Sequence, residues 1–131
     1  MLVLAQALWD RMVAHCLDGL PFEACGLLAG TGEEVREVYP ARNAARSARV
    51  YTVEPVDLLR ADRAAEAAGL SLLGVWHSHT HTPAFPSPTD VAQAPDPEWH
   101  YVLVSLSDVE PVVRSYRIVD GLVREEPVIT A

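Results

Sequence analysis

Trp76-His77-Ser78-His79-Thr80-His81-Thr82-Pro83-Ala84-Phe85-Pro86-Ser87-Pro88-Thr89-Asp90 is the stretch on which the reading of this chain turns. An apolar run, Leu70 to Trp76, leads into it with Gly74 in the middle. If that run is a strand, alternation places His77 and His79 on one face and Ser78 on the other. Two imidazoles on one face can chelate one metal ion. Asp90, arriving from the next element, would complete three ligands and leave a fourth position for water. That is the architecture of a catalytic zinc (Zn2+) site rather than a structural one.

The surrounding chain supplies the frame for this strand. Leu4, Leu8, Met12 and Cys16 recur every four residues, which predicts an amphipathic helix over Leu2 to Asp18, stopped by Gly19 and Pro21. Ala24 to Ala29 and Val35 to Tyr39 flank a turn at Thr31-Gly32 and predict a hairpin. Residues 41–48 form a polar, arginine-rich loop, and Val50 to Val53 reads as another strand. Pro55 opens an alanine-rich helix that Gly69 caps. Three prolines keep Thr82 to Pro88 out of any central strand. Ser87 is then an N-cap, Pro88 the first residue of a short helix ended by Pro95 and Pro97. Tyr101 to Leu106, Val112 to Val119 and Leu122 to Val128 complete the chain as strands, with Asp120-Gly121 turning between the last two. The expectation is an α/β fold, a mixed and largely antiparallel curved sheet flanked by helices, in a single domain over residues 1–131.

Composition narrows the function. The net charge is −8 and every basic residue is an arginine. No basic face is left to displace counterions from phosphates, so nucleic acid is not an expected partner. No apolar stretch reaches the length of a membrane span, and the N-terminal region has neither a basic start nor a cleavage site, which points to the cytoplasm and away from membranes. Cys16 and Cys25 form no paired-thiolate motif and read as reduced, buried thiols.

Hydrolysis at a three-ligand zinc site also needs a base. Glu23, between Phe22 and a continuous apolar run, is the leading candidate. Burial would raise its pKa and a nearby cation would lower it. Ser87 could donate a hydrogen bond to the oxyanion of the attacked carbonyl. Each residue has a plainer reading alone: His-x-His as strand packing, Ser87 with Asp90 as a helix cap, Glu23 as a solvated carboxylate. Their combination favours chemistry, and cap and ligand roles can coexist at a helix N-terminus. His81 continues the alternation, but Pro83 ends the strand and Asp90 is the better third ligand. A nucleophilic Cys25 would want a histidine partner and an electropositive setting, neither of which the zinc reading needs, and Cys25 reads as core. Arg42, Arg46 and Arg49 are candidates to read a substrate carboxylate, against the alternative of a solvated loop. A substrate tail adding a strand at a sheet edge would fix its carbonyl over the metal.

Glu23, within Pro21-Phe22-Glu23-Ala24-Cys25-Gly26-Leu27-Leu28-Ala29-Gly30, is followed by His77-Ser78-His79, seven residues, Ser87, two residues and Asp90. This pattern resembles the JAMM (MPN-plus) metalloproteases over nearly the whole chain. The resemblance implies their cytidine-deaminase-like fold, zinc on His77, His79 and Asp90, Glu23 as general acid/base, and Ser87 supporting the tetrahedral intermediate. Many members have proline after the second histidine; here it is Thr80. The loop that follows is similar to the bacterial Mec-type branch. That similarity implies a peptidase acting on the C-terminal tail of a ubiquitin-like sulfur-carrier protein and releasing cysteine in cysteine biosynthesis. Residues 91–99 are too few for the insertion with which eukaryotic relatives grip polyubiquitin. The alternatives are a JAMM isopeptidase or peptidase acting on another ubiquitin-like or small-peptide substrate, and a catalytically silent MPN scaffold. The oligomeric state is left open, a homodimer included.

Overall fold

The computed structural model describes residues 1–130. Its elements, in chain order, are β1 (Leu2–Val3), α1 (Gln6–Asp18), β2 (Cys25–Thr31), β3 (Glu34–Ala41), α2 (Pro55–Ala67), β4 (Ser71–His79), α3 (Pro88–Ala92), β5 (His100–Ser105), β6 (Val112–Val119), β7 (Leu122–Glu126) and β8 (Val128–Ile129). The strands form one sheet in the order β7-β6-β5-β4-β2-β3-β1-β8. Pairing is antiparallel for β2–β3, β2–β4, β5–β6 and β6–β7, and parallel for β4–β5, β1–β3 and β1–β8. The expected mixed, largely antiparallel α/β architecture is therefore what forms.

Helices cover both faces, which explains why β4 and β5 read as nearly unbroken buried runs rather than alternating ones. On the first face, Met12 and Cys16 of α1 pack with Leu28, Val38, Trp76, Val102 and Val104. On the other, Ala61 of α2 packs with Leu27, Val75, Tyr101 and Ile118. Trp76 is fully buried, and its indole N–H donates to the Leu27 carbonyl at 3.2 Å. Gly26 makes room for it: a Cβ there would lie 2.2 Å from Trp76 Cζ2 and 2.5 Å from the Tyr39 carbonyl oxygen. The turn at Asp120-Gly121 has positive φ at both residues, 53° and 77°, as a two-residue hairpin joining right-twisted strands requires.

Three sequence expectations give way. Leu2 and Val3 are a strand, and the helix starts only at Gln6. Leu2 aligns with Val128 in a parallel pair, so an unmet sheet edge takes the residues that helical periodicity had claimed. Val50 to Val53 is not a strand: only Val53 bridges, to Asn43, because the Asn43 side chain meets the backbone groups a ladder would have used. Leu122 to Val128 is broken after Glu126. Pro127 has no N–H to donate, and β8 leaves β7 to pair with β1 at the far end of the sheet. Cys16 and Cys25 are buried free thiols, as expected.

Candidate metal centre

Strand β4 ends on the histidines. Alternation sends Trp76 and Ser78 toward α1, where Ser78 Oγ accepts the Ala24 amide N–H at 2.8 Å. His77 and His79 face the other way, each buried. Asp90 comes from α3, whose first turn is closed by a capping box. The Asp90 N–H donates to Ser87 Oγ at 3.1 Å and the Ser87 N–H donates to Asp90 Oδ2 at 2.9 Å. Tying Ser87 to Asp90 in this way aims Oδ2 at the end of β4.

Three donor atoms then meet. His77 Nε2 and His79 Nε2 are 3.3 Å apart, and Asp90 Oδ2 lies 3.2 Å from the first and 3.0 Å from the second. A tetrahedral zinc ion with bonds of about 2.0–2.1 Å holds its ligand atoms about 3.3 Å from one another. The donor set and its spacing thus fit such an ion, and a fourth corner is left over. His79 Nδ1 lies 2.9 Å from the Pro83 carbonyl. A carbonyl only accepts, so Nδ1 carries the proton and the Nε2 lone pair is turned toward the other two donors. His77 is fixed differently, stacked on Tyr51 with ring centroids 4.1 Å apart and planes 21° from parallel.

The electrostatics match a site short of positive charge. Burial opposes ionisation of Asp90, yet its contacts with the two imidazoles and the hydrogen bond from the Ser87 amide hold it well below the usual carboxylate range. Burial lowers the pKa of His77 and outweighs Asp90. At His79 burial also opposes protonation, but Asp90 and the Pro83 carbonyl prevail and raise it.

Glu23 lies at the N-terminal side of β2, 4 % exposed, and its Oε1 has no hydrogen-bond partner among the described residues. Burial pushes its pKa up to about 7, with His79 opposing and the Asp90 charge adding to the rise. It shares a cavity of about 520 Å³ with His79, Ser87, Thr80, His81 and Arg49. The fold thus brings Glu23, His77, His79, Ser87 and Asp90 to one place. An unpaired buried carboxylate with a pKa near neutrality, beside three converging metal donors, is suited to proton transfer.

The other sequence candidates separate. His81 is exposed, its Nδ1 is 2.8 Å from Thr80 Oγ1, and it stands outside the donor cluster. Burial, chiefly, pushes the Cys25 thiol up to about 12, so it is no nucleophile. Arg42 is held by Asp57 through Nε at 3.0 Å, Nη2 at 3.2 Å and its own backbone N–H at 2.8 Å. Arg46 lines a neighbouring cavity, beside His15, Glu54 and Glu23 itself, and of the three only Arg49 reaches the one that also holds His79 and Ser87. Strand addition directly on β4 is ruled out, since β4 is interior, between β2 and β5.

Two residues escaped the sequence reading. Asn43 Nδ2 donates to the carbonyls of Glu23 and Val50, both at 3.0 Å. Its Oδ1 accepts from the amides of Ala45 at 3.0 Å and Thr52 at 2.9 Å, which uses the whole bonding capacity of the amide. Tyr51 is the second. Nothing in the local sequence marks either, although an asparagine heading a loop with no regular structure is a standing hint of side-chain-to-backbone closure.

The comparisons with known proteins agree with this geometry. Residues 5–119 match the family model described as prokaryotic homologs of the JAB domain. The chain is 47 % identical over 130 residues to a CysO-cysteine peptidase of Mycobacterium tuberculosis, covering 97 % of this chain and 89 % of that protein. A solution structure of a Desulfitobacterium hafniense protein superposes with a TM-score of 0.92 at 37 % identity, over 100 % of this chain and 93 % of that one. A JAB1/MPN domain protein of Archaeoglobus fulgidus superposes at 0.65 with 15 % identity, over 100 % and 96 % of the two chains, and so shares the fold. With its ordered glutamate, His-x-His, serine and aspartate carried on that fold, this chain belongs to the prokaryotic branch of the JAB-domain family.

Proposed function

We propose that this protein is a zinc-dependent peptidase that hydrolyses the amide joining cysteine to the C-terminus of a ubiquitin-like sulfur-carrier protein, releasing cysteine for biosynthesis. The observation that carries the reading is the triangle of His77 Nε2, His79 Nε2 and Asp90 Oδ2, with sides of 3.0–3.3 Å, beside a buried carboxylate whose Oε1 has no hydrogen-bond partner among the described residues. The substrate follows from the extent of similarity to a peptidase named for CysO-cysteine.

His77, His79 and Asp90 would hold the ion. Zinc in such a site supplies Lewis acidity and lowers the pKa of a bound water to about 7. Glu23 takes the proton of the attacking water and returns it to the departing amine. Its pKa near 7 suits both halves of that task. Ser87 Oγ already accepts the Asp90 N–H, which leaves its hydroxyl proton to donate to the oxygen of the attacked carbonyl. Asn43 and the Ser47 carbonyl grip the Glu23 backbone from both sides and keep its side chain from swinging out. The single domain 1–131 and a cytoplasmic setting go with this reading. Cys16 and Cys25 remain free thiols, at ease in a reducing compartment.

The test is incubation with a CysO-type carrier ending in Gly-Gly-Cys, with and without a chelator, followed by intact mass. Loss of one cysteine residue, abolished by chelation and restored by zinc, is the expected result. An intact carrier would refute the substrate, and cleavage indifferent to chelation would refute the metal.

A further inference from the structure

Removing one residue from a C-terminus places an electrostatic demand on the site. The carboxylate of the departing residue lies one residue beyond the scissile carbonyl, about 3.8 Å further along the chain. It must therefore approach the site alongside Glu23 and Asp90, in a protein of net charge −8. A bound zinc ion would balance Glu23 and Asp90 and leave no positive charge over for the substrate's own carboxylate, which therefore needs a further cation close by.

The loop between β3 and α2 supplies one. Of its three arginines, Arg42 is occupied by Asp57, and Arg46 lines a neighbouring cavity that Glu23 also borders but that none of His77, His79, Ser87 and Asp90 lines. Arg49 lines the cavity that contains Glu23, His79 and Ser87. Among the described residues its guanidinium makes no ion pair. Arg11, Arg36, Arg42 and Arg114 each have a carboxylate partner; Arg49 is not alone in lacking one, and what sets it apart is the cavity it lines.

The loop is also held in place rather than merely solvated. The Glu23 N–H donates to the Ser47 carbonyl at 2.8 Å. Ser47 Oγ accepts the N–H of Arg49 at 3.0 Å and of Val50 at 3.3 Å. Thr80 Oγ1, just beyond the metal strand, donates to the Ala48 carbonyl at 3.4 Å. The backbone that carries Arg49 is thus anchored both to the proton-transfer residue and to the end of β4. Thr80 acquires a role here, since a proline at that position would have no hydroxyl to offer Ala48.

From this placement we infer that Arg49 binds the carboxylate of the residue to be released, and that the site is thereby an exopeptidase site, selective for a free C-terminal residue over one whose carboxylate is blocked. The inference rests on the peptidase reading above and adds its specificity. Arginine suits the task because its planar fork pairs with both carboxylate oxygens. Lysine offers only a point charge.

The experiment compares one CysO-type carrier ending in Gly-Gly-Cys in two forms, with a free C-terminal carboxylate and with a carboxamide. The wild-type zinc enzyme is expected to favour the acid at least tenfold in kcat/KM, mostly through KM. Arg49→Ala should make the two forms equivalent, and Arg49→Lys should restore part of the preference. Arg124→Ala, which removes the same charge far from the site, should keep the preference whole. Binding provides a second readout. In a Glu23→Gln background, Arg49→Ala should weaken the Kd for the acid form about tenfold and remove its advantage over the amide. A wild-type enzyme that cleaves both forms equally overturns the inference and leaves the peptidase reading standing, as does an Arg49→Ala variant that still prefers the acid. A wild-type enzyme that cleaves neither form ends the peptidase reading and the inference with it.

Discussion

Ser87 and Asp90 each bind the other's backbone amide, and the Asp90 oxygen that accepts from Ser87 is the same Oδ2 that faces His77 and His79. The cap of a five-residue helix is therefore part of the metal centre. A short helix is marginal by itself, so its geometry depends on this closure.

Replacing Ser87 should for that reason act on two quantities at once. Ser87→Ala removes the cap at a cost of about 1 kcal/mol. It also removes the oxyanion donor, which should lower kcat by about 100-fold or more. Ser87→Thr keeps both the acceptor and the hydroxyl proton, so it should recover most of the stability and a measurable part of kcat. Melting curves and steady-state rates on the three proteins decide this. A Ser87→Ala enzyme with full kcat would confine the serine to capping.

Metal content gives a second prediction. One zinc per chain is expected by elemental analysis of the wild type, and essentially none after His77→Ala or Asp90→Asn. Ligand that binds only the folded state stabilises by mass action. Dialysis against chelator should thus lower the wild-type melting temperature and leave that of His77→Ala where it was. Equal sensitivity of the two proteins to chelator would contradict the assignment.

Glu23 should show its cost in the metal-free protein. Its folded pKa, about 7, lies above the ordinary 4.5, so the native state disfavours the charged form. The penalty is absent below the unfolded pKa, grows as pH rises from about 4.5 to about 7, and is constant above that. Glu23→Gln should therefore be as stable as the wild type near pH 4 and more stable by roughly 1–3 kcal/mol at pH 8, while losing activity. Denaturant titrations at the two pH values test the sign. A stability difference that is the same at both pH values would mean that the Glu23 pKa is not raised, and a variant less stable than the wild type at pH 8 but not at pH 4 would mean that the charge is stabilising.

Asn43 should behave as a positioning residue. Asn43→Ala leaves the carbonyls of Glu23 and Val50 and the amides of Ala45 and Thr52 without their partner, a loss of roughly 2–4 kcal/mol if the loop stays in place. The expected result is a fall in kcat with most of the zinc retained, because the loop holds Glu23 and its contact with the metal donors, Tyr51 stacked on His77, supplies no ligand. Loss of zinc together with activity would argue for a wider collapse.

The spacing of the motif made the site legible. A period-two strand puts His77 and His79 on one side whatever surrounds them, and a serine-proline-x-aspartate helix start turns an aspartate toward the N-terminus of its helix. Both are local rules, and both hold in the fold. The buried run of β4 and the Asp120-Gly121 turn were legible for the same reason. Where local rules failed, a distant partner had taken over. Leu2 left the helical pattern for Val128, more than a hundred residues away, and Pro127 moved the last two strand residues to the opposite edge.

What the one-dimensional chain determined by itself is the chemistry on offer: two imidazoles, a carboxylate, a glutamate and a serine at spacings that backbone periodicity converts into direction. What only the folded molecule decided is which of its charges are free to act. Arg42, Arg46 and Arg49 are alike in sequence, and Asp57, Asn43 and the end of β4 assign them to an ion pair, a second cavity and the metal cavity. The same applies to the Glu23 pKa, which comes from burial beneath a loop that starts some twenty residues later. Periodicity is a property of neighbours along the chain, whereas burial and pairing belong to neighbours in space.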